Sequence, residues 1–201
     1  MSNYTQKNIA AYDAKADSYD NTLDGKFTEK FKDLLVANMS ANEGDRVLDV
    51  GCGNGSLLSK IAGVQKIKGF GADLSPRMVE AAAARYPEFE FVVAGCESLP
   101  FGDSSMDVVT VCCAYHHFPD VSAFARETGR LLRPGGSLYI AEVYLPGVVR
   151  PIANLFLPLS KDGDVKFYSS KEIADTLSPA GLELVSATKK GHIQILHLRS
   201  K

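Results

Sequence analysis

Cysteine is scarce in this sequence: the 201 residues contain four, Cys52, Cys96, Cys112 and Cys113, and no C-x-x-C pair. Metal or redox roles are therefore not expected of them. Three fall in apolar segments read as buried strands or strand ends, where Cys behaves as a small hydrophobe, and all are read as reduced thiols. Cys112 and Cys113, neighbours on one strand, are expected to point to opposite faces. No apolar run approaches the ~20 residues that span a bilayer. The opening Met1-Ser2-Asn3-Tyr4-Thr5-Gln6 lacks the basic-then-apolar order of a signal peptide, so a cytoplasmic location is expected. Neither sign of charge dominates: the net charge is −2, and no basic stripe is interleaved with aromatics, which disfavours nucleic acid as a partner. There is no internal repeat and no low-complexity segment. At this length, with 45% apolar residues, one sizeable α/β core is expected.

What is present is an alternation of strand and helix patterns. Asn21–Met39 carries Leu23, Phe27, Phe31, Leu34 and Leu35 at helical spacing. Strand patterns follow at Arg46–Val50, Ile67–Asp73, Phe89–Ala94, Asp107–Ala114 and Ser137–Val143, with helices over Ser56–Ala62, Met78–Arg85 and Val121–Leu132. Ser75-Pro76 reads as an N-cap with proline at the first helical position, and Pro134-Gly135-Gly136 as a helix terminator. Ser170 is read as the cap of a helix ending at Leu177. Leu182–Thr188 and Gln194–Leu198 read as two last strands, an antiparallel hairpin joined through Gly191. Strands separated by helices predict a parallel sheet with right-handed crossovers.

The most informative segment is Val47-Leu48-Asp49-Val50-Gly51-Cys52-Gly53-Asn54-Gly55, opening into Ser56-Leu57-Leu58. Glycine at every second position permits a sharp turn with backbone that a ligand can approach closely. A dinucleotide fingerprint, G-x-G-x-x-G, would require glycine at position 56. Asp49 beside the turn attracts cations and repels phosphates. A ligand without pyrophosphate and with positive charge suits this pattern, and S-adenosylmethionine, with its sulfonium and ammonium groups, meets the description. Asp73, ending the second strand pattern, is placed to accept both ribose hydroxyl hydrogens.

These residues resemble the class I S-adenosylmethionine-dependent methyltransferases, and more narrowly their small-molecule, ubiquinone- and menaquinone-biosynthesis-like branch (type 11). The resemblance runs by motif through residues 10 to 145. It implies a Rossmann-like α/β fold: a mostly parallel seven-stranded sheet, helices on both faces and an antiparallel last strand. It also implies N-terminal lid helices over residues 1–40 and a single cofactor-binding domain over 41–201. The segment Gly95-Cys96-Glu97-Ser98-Leu99-Pro100-Phe101 is similar to the family's Gly-Asp-Ala-Glu-x-Leu-Pro-Phe, but Gly95 stands where the family has the Asp that accepts the adenine amino hydrogen. Backbone amides of Gly95, Cys96 and Glu97 are expected to hold the adenine edge instead, with a solvated loop acid as the alternative for Glu97. Gly95→Asp is accordingly expected to tighten cofactor binding. The implied cofactor set is Tyr19, Asp49, Gly51, Cys52, Gly53, Asp73, Leu74 against the adenine, Gly95, Cys96, Glu97 and Ala114; Asp107, before the fourth strand, is structural in the family.

Ala114-Tyr115-His116-His117-Phe118-Pro119-Asp120 should face the transferred methyl. A displacement at a sulfonium needs a placed nucleophile, and a base only when the acceptor holds its proton. His116 or His117 is the candidate base, since imidazole titrates near neutrality; backbone hydrogen bonding is the alternative. No metal is expected there, because adjacent His side chains diverge and no third ligand is evident. Tyr12-Asp13-Ala14-Lys15-Ala16-Asp17-Ser18-Tyr19-Asp20 resembles the family's segment that folds over the cofactor. Tyr12 and Tyr19, seven apart, would share a helix face and wall the sulfonium, or pack on the core. The apolar run Val148–Leu159 reads as a roof over an apolar or aromatic substrate pocket, or as core or dimer contact. Tyr12, Tyr115, Glu142, Tyr144 and Tyr168 are the candidate pocket residues. His192 and His197 read as structural, and Arg126, Arg130 and Arg133 as one solvated helix face. The expected activity is methyl transfer from S-adenosylmethionine to a small-molecule acceptor, leaving S-adenosylhomocysteine, by a monomer or homodimer. A non-catalytic binding module, methylation of a macromolecule, and a nicotinamide oxidoreductase are the alternatives, the last disfavoured by the glycine spacing.

Overall fold

The computed structural model describes residues 3–201. Seven strands form one sheet, β1 (Arg46–Val50), β2 (Lys68–Asp73), β3 (Glu90–Val93), β4 (Met106–Cys112), β5 (Leu132–Val143), β6 (Leu182–Lys190) and β7 (Ile193–Ser200), in the order β3-β2-β1-β4-β5-β7-β6. β1 to β5 pair in parallel, and β7 runs antiparallel to both β5 and β6. Strand order steps one way from β1 to β3 and the other from β4 onward. The switch point, between the C-terminal ends of β1 and β4, is where such sheets leave a crevice for a ligand.

Side chains alternate along the strands and build a core on each face. Leu48, Val109, Leu138, Ile140 and Leu196 pack with Phe124 and Leu131 of α5 (Val121–Leu131) and with Ile173 and Leu177 of α7 (Ser170–Leu177). On the other face Val47, Val108, Tyr139 and Ile195 meet Phe31 and Leu35 of α2 (Leu23–Asn38) and Leu57, Leu58 and Ile61 of α3 (Ser56–Ala62). α4 (Pro76–Arg85) covers β2 and β3 and supports α1 (Asn3–Asp13), and a short α6 (Arg150–Phe156) lies in the connection after β5. Among the described residues no helix is long and apolar enough to cross a membrane.

Most boundaries follow the sequence patterns, and the departures have local causes. Ser75 caps α4 as expected, accepting from the Met78 N–H at 3.0 Å. The cap of α7 is Ser169, not Ser170: its hydroxyl takes the Glu172 N–H while Glu172 takes the Ser169 N–H, a capping box. Ser170 instead donates to the buried Gln194. Pro134-Gly135-Gly136 is not outside the sheet: α5 ends at Leu131, β5 starts at Leu132 opposite Met106, and the triplet bulges within the strand before pairing resumes at Val108–Ser137. The run over 148–159 does not enter the core as a whole; Val148, Leu155 and Leu159 are 75–81% exposed, and Leu157 alone of this stretch counts among the buried hydrophobics. The expected solvated arginine face holds for the exposed Arg126 and is corrected for the other two. Arg130 holds Glu127, Asp103 and the carbonyls of Leu99 and Phe101, fastening the loop after β3, and Arg133 lies beyond the helix, paired with Asp107. Asp107 also takes the Arg46 N–H, the structural role expected of it.

Candidate functional site

The loop after β1 folds back because Gly51 and Gly53 hold left-handed backbone, φ 74° and 51°. A Cβ on Gly51 would stand 2.4 Å from the Cβ of Ala114, so the bare backbone lets the loops after β1 and β4 touch. A Cβ on Gly53 would meet nothing within 4 Å, and this residue lines a cavity at the switch point. Asp73, at the end of β2, takes the Gly53 N–H on Oδ2 at 2.8 Å and the Ser75 N–H on Oδ1 at 2.9 Å. Each oxygen keeps a lone pair, which suits a vicinal diol. Burial raises the Asp73 pKa, opposed by those backbone donors.

Asp49 is 2% exposed and accepts from Thr110 Oγ1 at 2.8 Å. Burial pushes its pKa up to about 7, against the pull of the Thr110 hydroxyl and the Lys32 ammonium. Lys32 comes in from α2, buried, donating to Ser56 Oγ at 2.8 Å beside the glycine loop and lying 5.7 Å from the Tyr19 ring centre. The cavity thus has the buried ammonium of Lys32 as well as the buried carboxyl of Asp49 and the partly buried one of Asp73, a pairing that fits a zwitterion.

Leu74, Ala94 and Cys96 continue the lining. The ground beside Gly95 is not vacant: a Cβ there would be 2.7 Å from Glu97 Oε2 and 3.6 Å from Leu74 Cδ2. The Glu97 carboxylate thus stands where the side chain of Gly95→Asp would go.

Tyr12 and Tyr19 both line the cavity with ring centres 6.1 Å apart, but they do not share a helix. α1 stops at Asp13, and a separate 3₁₀ turn, Ala16–Asn21, brings Tyr19 back. The segment is latched by polar contacts: Ser75 Oγ to Asp13 at 2.5 Å, Asn54 Nδ2 to Asp20 at 2.8 Å, and Lys15 to Asp24 and Asp162 at 2.6 and 2.7 Å. Arg85 also pairs with Asp20.

His117 lines the cavity, with Nε2 3.1 Å from the Tyr12 hydroxyl. Its Nδ1 faces Asp164 Oδ1 at 3.3 Å and, among the described residues, finds no hydrogen-bond partner. His116 lies behind, Nδ1 2.9 Å from both oxygens of the buried Glu142 and Nε2 3.5 Å from the same Asp164 oxygen. The expected divergence of the two imidazoles is overturned: the 3₁₀ turn over Tyr115–His117 sets the ring centres 4.1 Å apart, and the connection returns Asp164 to both. Burial depresses His117 to about 4, and the neighbouring His116 adds to this. Burial pulls His116 the same way, but Glu142 and Asp164 outweigh it and its pKa is raised. Glu142 is lowered in spite of burial, by His116.

Cys112 and Cys113 do not take opposite faces. β4 ends at Cys112, Cys113 has φ 52°, and both, with Cys52, line the cavity. Burial raises the Cys52 and Cys113 thiols well above their ordinary range, so they stay neutral.

Of the residues expected on the cofactor, Tyr19, Asp49, Gly51, Cys52, Gly53, Asp73, Leu74, Cys96 and Ala114 line this one cavity, with Gly95 and Glu97 beside it. Of the expected pocket residues, Tyr12 lines it and Glu142 sits behind His116. Tyr115 is a correction: it is fully buried in the core against Phe118 and Phe124. Tyr168 packs edge-on against Tyr115 at 5.1 Å, and Tyr144 lies under Lys189 Nζ at 4.3 Å; neither reaches the cavity. His192 stacks on Phe27 and His197 on Tyr139, as structural residues do. Lys32, Thr28 and Asp164 join the site without having been expected there. The signal for Thr28 and Lys32 is their place on one helix stripe with the buried Leu35.

A family model described as a methyltransferase domain matches residues 48–140. The 27-O-demethylrifamycin SV methyltransferase of Amycolatopsis mediterranei is 33% identical over 80% of this chain and 62% of its own length. The O-methyltransferase rstn1 of Aspergillus nomiae is 30% identical over 68% and 67%. In fold, the methyltransferase solved in complex with the Trm112 methyltransferase activator of Haloferax volcanii superposes with a TM-score of 0.83 at 23% identity, over 94% of this chain and 97% of that one. The chain spans about half the length of the first curated relatives it matches, 44–62%. It belongs to the class I S-adenosylmethionine-dependent methyltransferases, and S-adenosylmethionine is its cofactor.

Proposed function

We propose that the protein transfers the methyl group of S-adenosylmethionine to a small-molecule acceptor seated beside His117 and Tyr12. The observation that carries this reading is the single cavity that joins the open backbone of Gly53, the two half-used oxygens of Asp73 and the Tyr12–His117 pair. In this reading Asp73 takes the ribose hydroxyls, Leu74 and Cys96 border the adenine, and Glu97 offers the carboxylate that Gly95 lacks. Lys32 takes the carboxylate of the methionine moiety, and Asp49 supports its positive charges. Tyr19 walls the sulfonium, with Gly51, Cys52 and Ala114 as the floor. The carbon–sulfur bond breaks as the bond to the acceptor forms, the electron pair goes to sulfur, and neutral S-adenosylhomocysteine remains. In this reading an acceptor that carries a proton gives it up to water, since burial leaves His117, depressed to about 4, a weak base.

In this reading α1 and the turn over Ala16–Asn21 act as the lid, whereas α2, expected to belong to it, is built into the core of the cofactor-binding domain through Phe31 and Leu35; removing residues 1–20 should abolish cofactor retention. Calorimetry with S-adenosylmethionine, S-adenosylhomocysteine and NAD tests the donor, and methyl-transfer assays over hydroxylated aromatic and polyketide-like acceptors test the activity. Binding of NAD in preference to both sulfur ligands, or binding of none at millimolar concentration, overturns the reading.

Two substitutions probe single contacts. Lys32→Met removes a charge-assisted contact of about 1.5–3 kcal/mol, and S-adenosylhomocysteine should bind roughly ten- to a hundredfold more weakly. Glu97→Ala should also weaken binding, by about tenfold, whereas Gly95→Asp should bring no gain unless Glu97 is removed with it. The same calorimetry reads both.

A further inference from the structure

The geometry points to a divalent transition-metal site formed by His116 Nε2, His117 Nδ1 and Asp164 Oδ1, tying the connection after α6 to the loop after β4. The three atoms lie within 4.8 Å of one another. Both imidazole nitrogens stand 3.3 and 3.5 Å from one carboxylate oxygen, long for a hydrogen bond. In a tetrahedral site with bonds of ~2.0–2.1 Å, ligand atoms are separated by about 3.3–3.4 Å, close to the two nitrogen–oxygen separations of 3.3 and 3.5 Å, while the two nitrogens lie within 4.8 Å of each other.

The hydrogen bonding around the three groups points the same way. His116 gives its Nδ1–H to Glu142, so that in the neutral ring the Nε2 lone pair is aimed at the Asp164 oxygen. His117 Nδ1 is buried and, among the described residues, without a hydrogen-bond partner. A ring nitrogen facing a carboxylate oxygen in a buried place needs a positive charge between them, a proton or a metal ion, and separations of 3.3 and 3.5 Å are long for the proton. The remaining nitrogen of each ring is already held from outside, His116 by Glu142 and His117 by the Tyr12 hydroxyl, the supporting contacts that fix a ligand imidazole. Two imidazoles and one carboxylate suit zinc or a neighbouring divalent ion better than magnesium or calcium. Asp164 is braced as well, since Ser160 donates to its other oxygen at 2.5 Å and the Val165 N–H is held by the His116 carbonyl at 2.8 Å. The site does not depend on the methyl donor.

The test uses the full chain, stripped of metal, kept reduced and titrated with Co2+. One equivalent should bind and give the intense visible bands of a four- or five-coordinate nitrogen–oxygen site, and Zn2+ should displace it. Asp164→Asn and His117→Gln should each weaken binding by about a hundredfold or more, and Glu142→Gln by roughly ten- to a hundredfold. Circular dichroism and S-adenosylhomocysteine affinity measured without metal show whether Asp164→Asn is folded; should it not be, His117→Gln and Glu142→Gln carry the comparison. Four results overturn the site: no saturable binding, a pale six-coordinate spectrum, a thiolate-to-cobalt band that puts the ion on Cys112 or Cys113, or undiminished binding to the folded variants. In the first case a shared proton on His116 fills the space between Glu142 and Asp164.

Discussion

Asp73→Ala should weaken S-adenosylhomocysteine binding by at least a hundredfold, more than any other single substitution at the cavity. Hydrogen bonds to a charged group contribute about 1.5–3 kcal/mol each, and in the proposed complex two ribose hydroxyls would be lost together, roughly 3–6 kcal/mol. The carboxylate also holds the Gly53 and Ser75 N–H groups, so its loss frees the glycine turn and the start of α4 at once. Asp73→Asn separates the effects: an amide keeps one acceptor and should lose only part of the affinity. Isothermal calorimetry on the two variants, with melting temperature as the control for folding, measures both. Equal affinity for wild type and Asp73→Ala would place the ribose elsewhere.

The second large effect is in pH. Burial holds Asp49 protonated up to about pH 7 in the free protein. In the unfolded chain the same carboxyl ionises near pH 4, so between those values the folded state binds the extra proton. Its contribution to stability is therefore complete below pH 4 and is lost as pH rises through 7, a swing of about 4 kcal/mol. A ligand bearing sulfonium and ammonium charges favours the ionised form, so binding should release a proton below pH 7. S-adenosylmethionine affinity should then fall by about tenfold for each pH unit below 7, while Asp49→Asn should bind with little pH dependence. Calorimetry in buffers of different ionisation enthalpy counts the proton directly. Lys32 and Asp73 also face this carboxyl, and Lys32→Met should move the dependence to higher pH, because the ammonium helps to hold Asp49 ionised.

The parts of this fold that are legible in sequence are those in which one short segment settles the outcome. β1 and α3 appear at their expected bounds because a buried parallel strand must be an apolar run and because the glycine turn leaves no other place for the helix to start. Ser75-Pro76 likewise names its own helix. Ser169 and Ser170 differ by one position, and the Glu three residues after Ser169 is the deciding signature. The residues that escape such reading depend on distant chain. Lys32 stands among Glu29, Lys30 and Asp33, where a lysine looks solvated, and is buried only because Ser56 and Tyr19 come to it. Asp164 is an ordinary loop acid until the connection folds back on His116 and His117. Tyr115 lies between residues that face the cavity, and the 3₁₀ turn sends its ring the other way, into the core.

The missing side chain at Gly51 has a mechanical consequence. With Gly51 set against Ala114, the ledge proposed for the donor and the arm proposed for the acceptor wall meet at one close contact. In the proposed complex the span the methyl crosses would then be set by backbone, which yields little, more than by rotamers, which relax. Any bulk introduced at position 51 would wedge these two pieces apart, so damage on the donor side would surface as misalignment of the nucleophile.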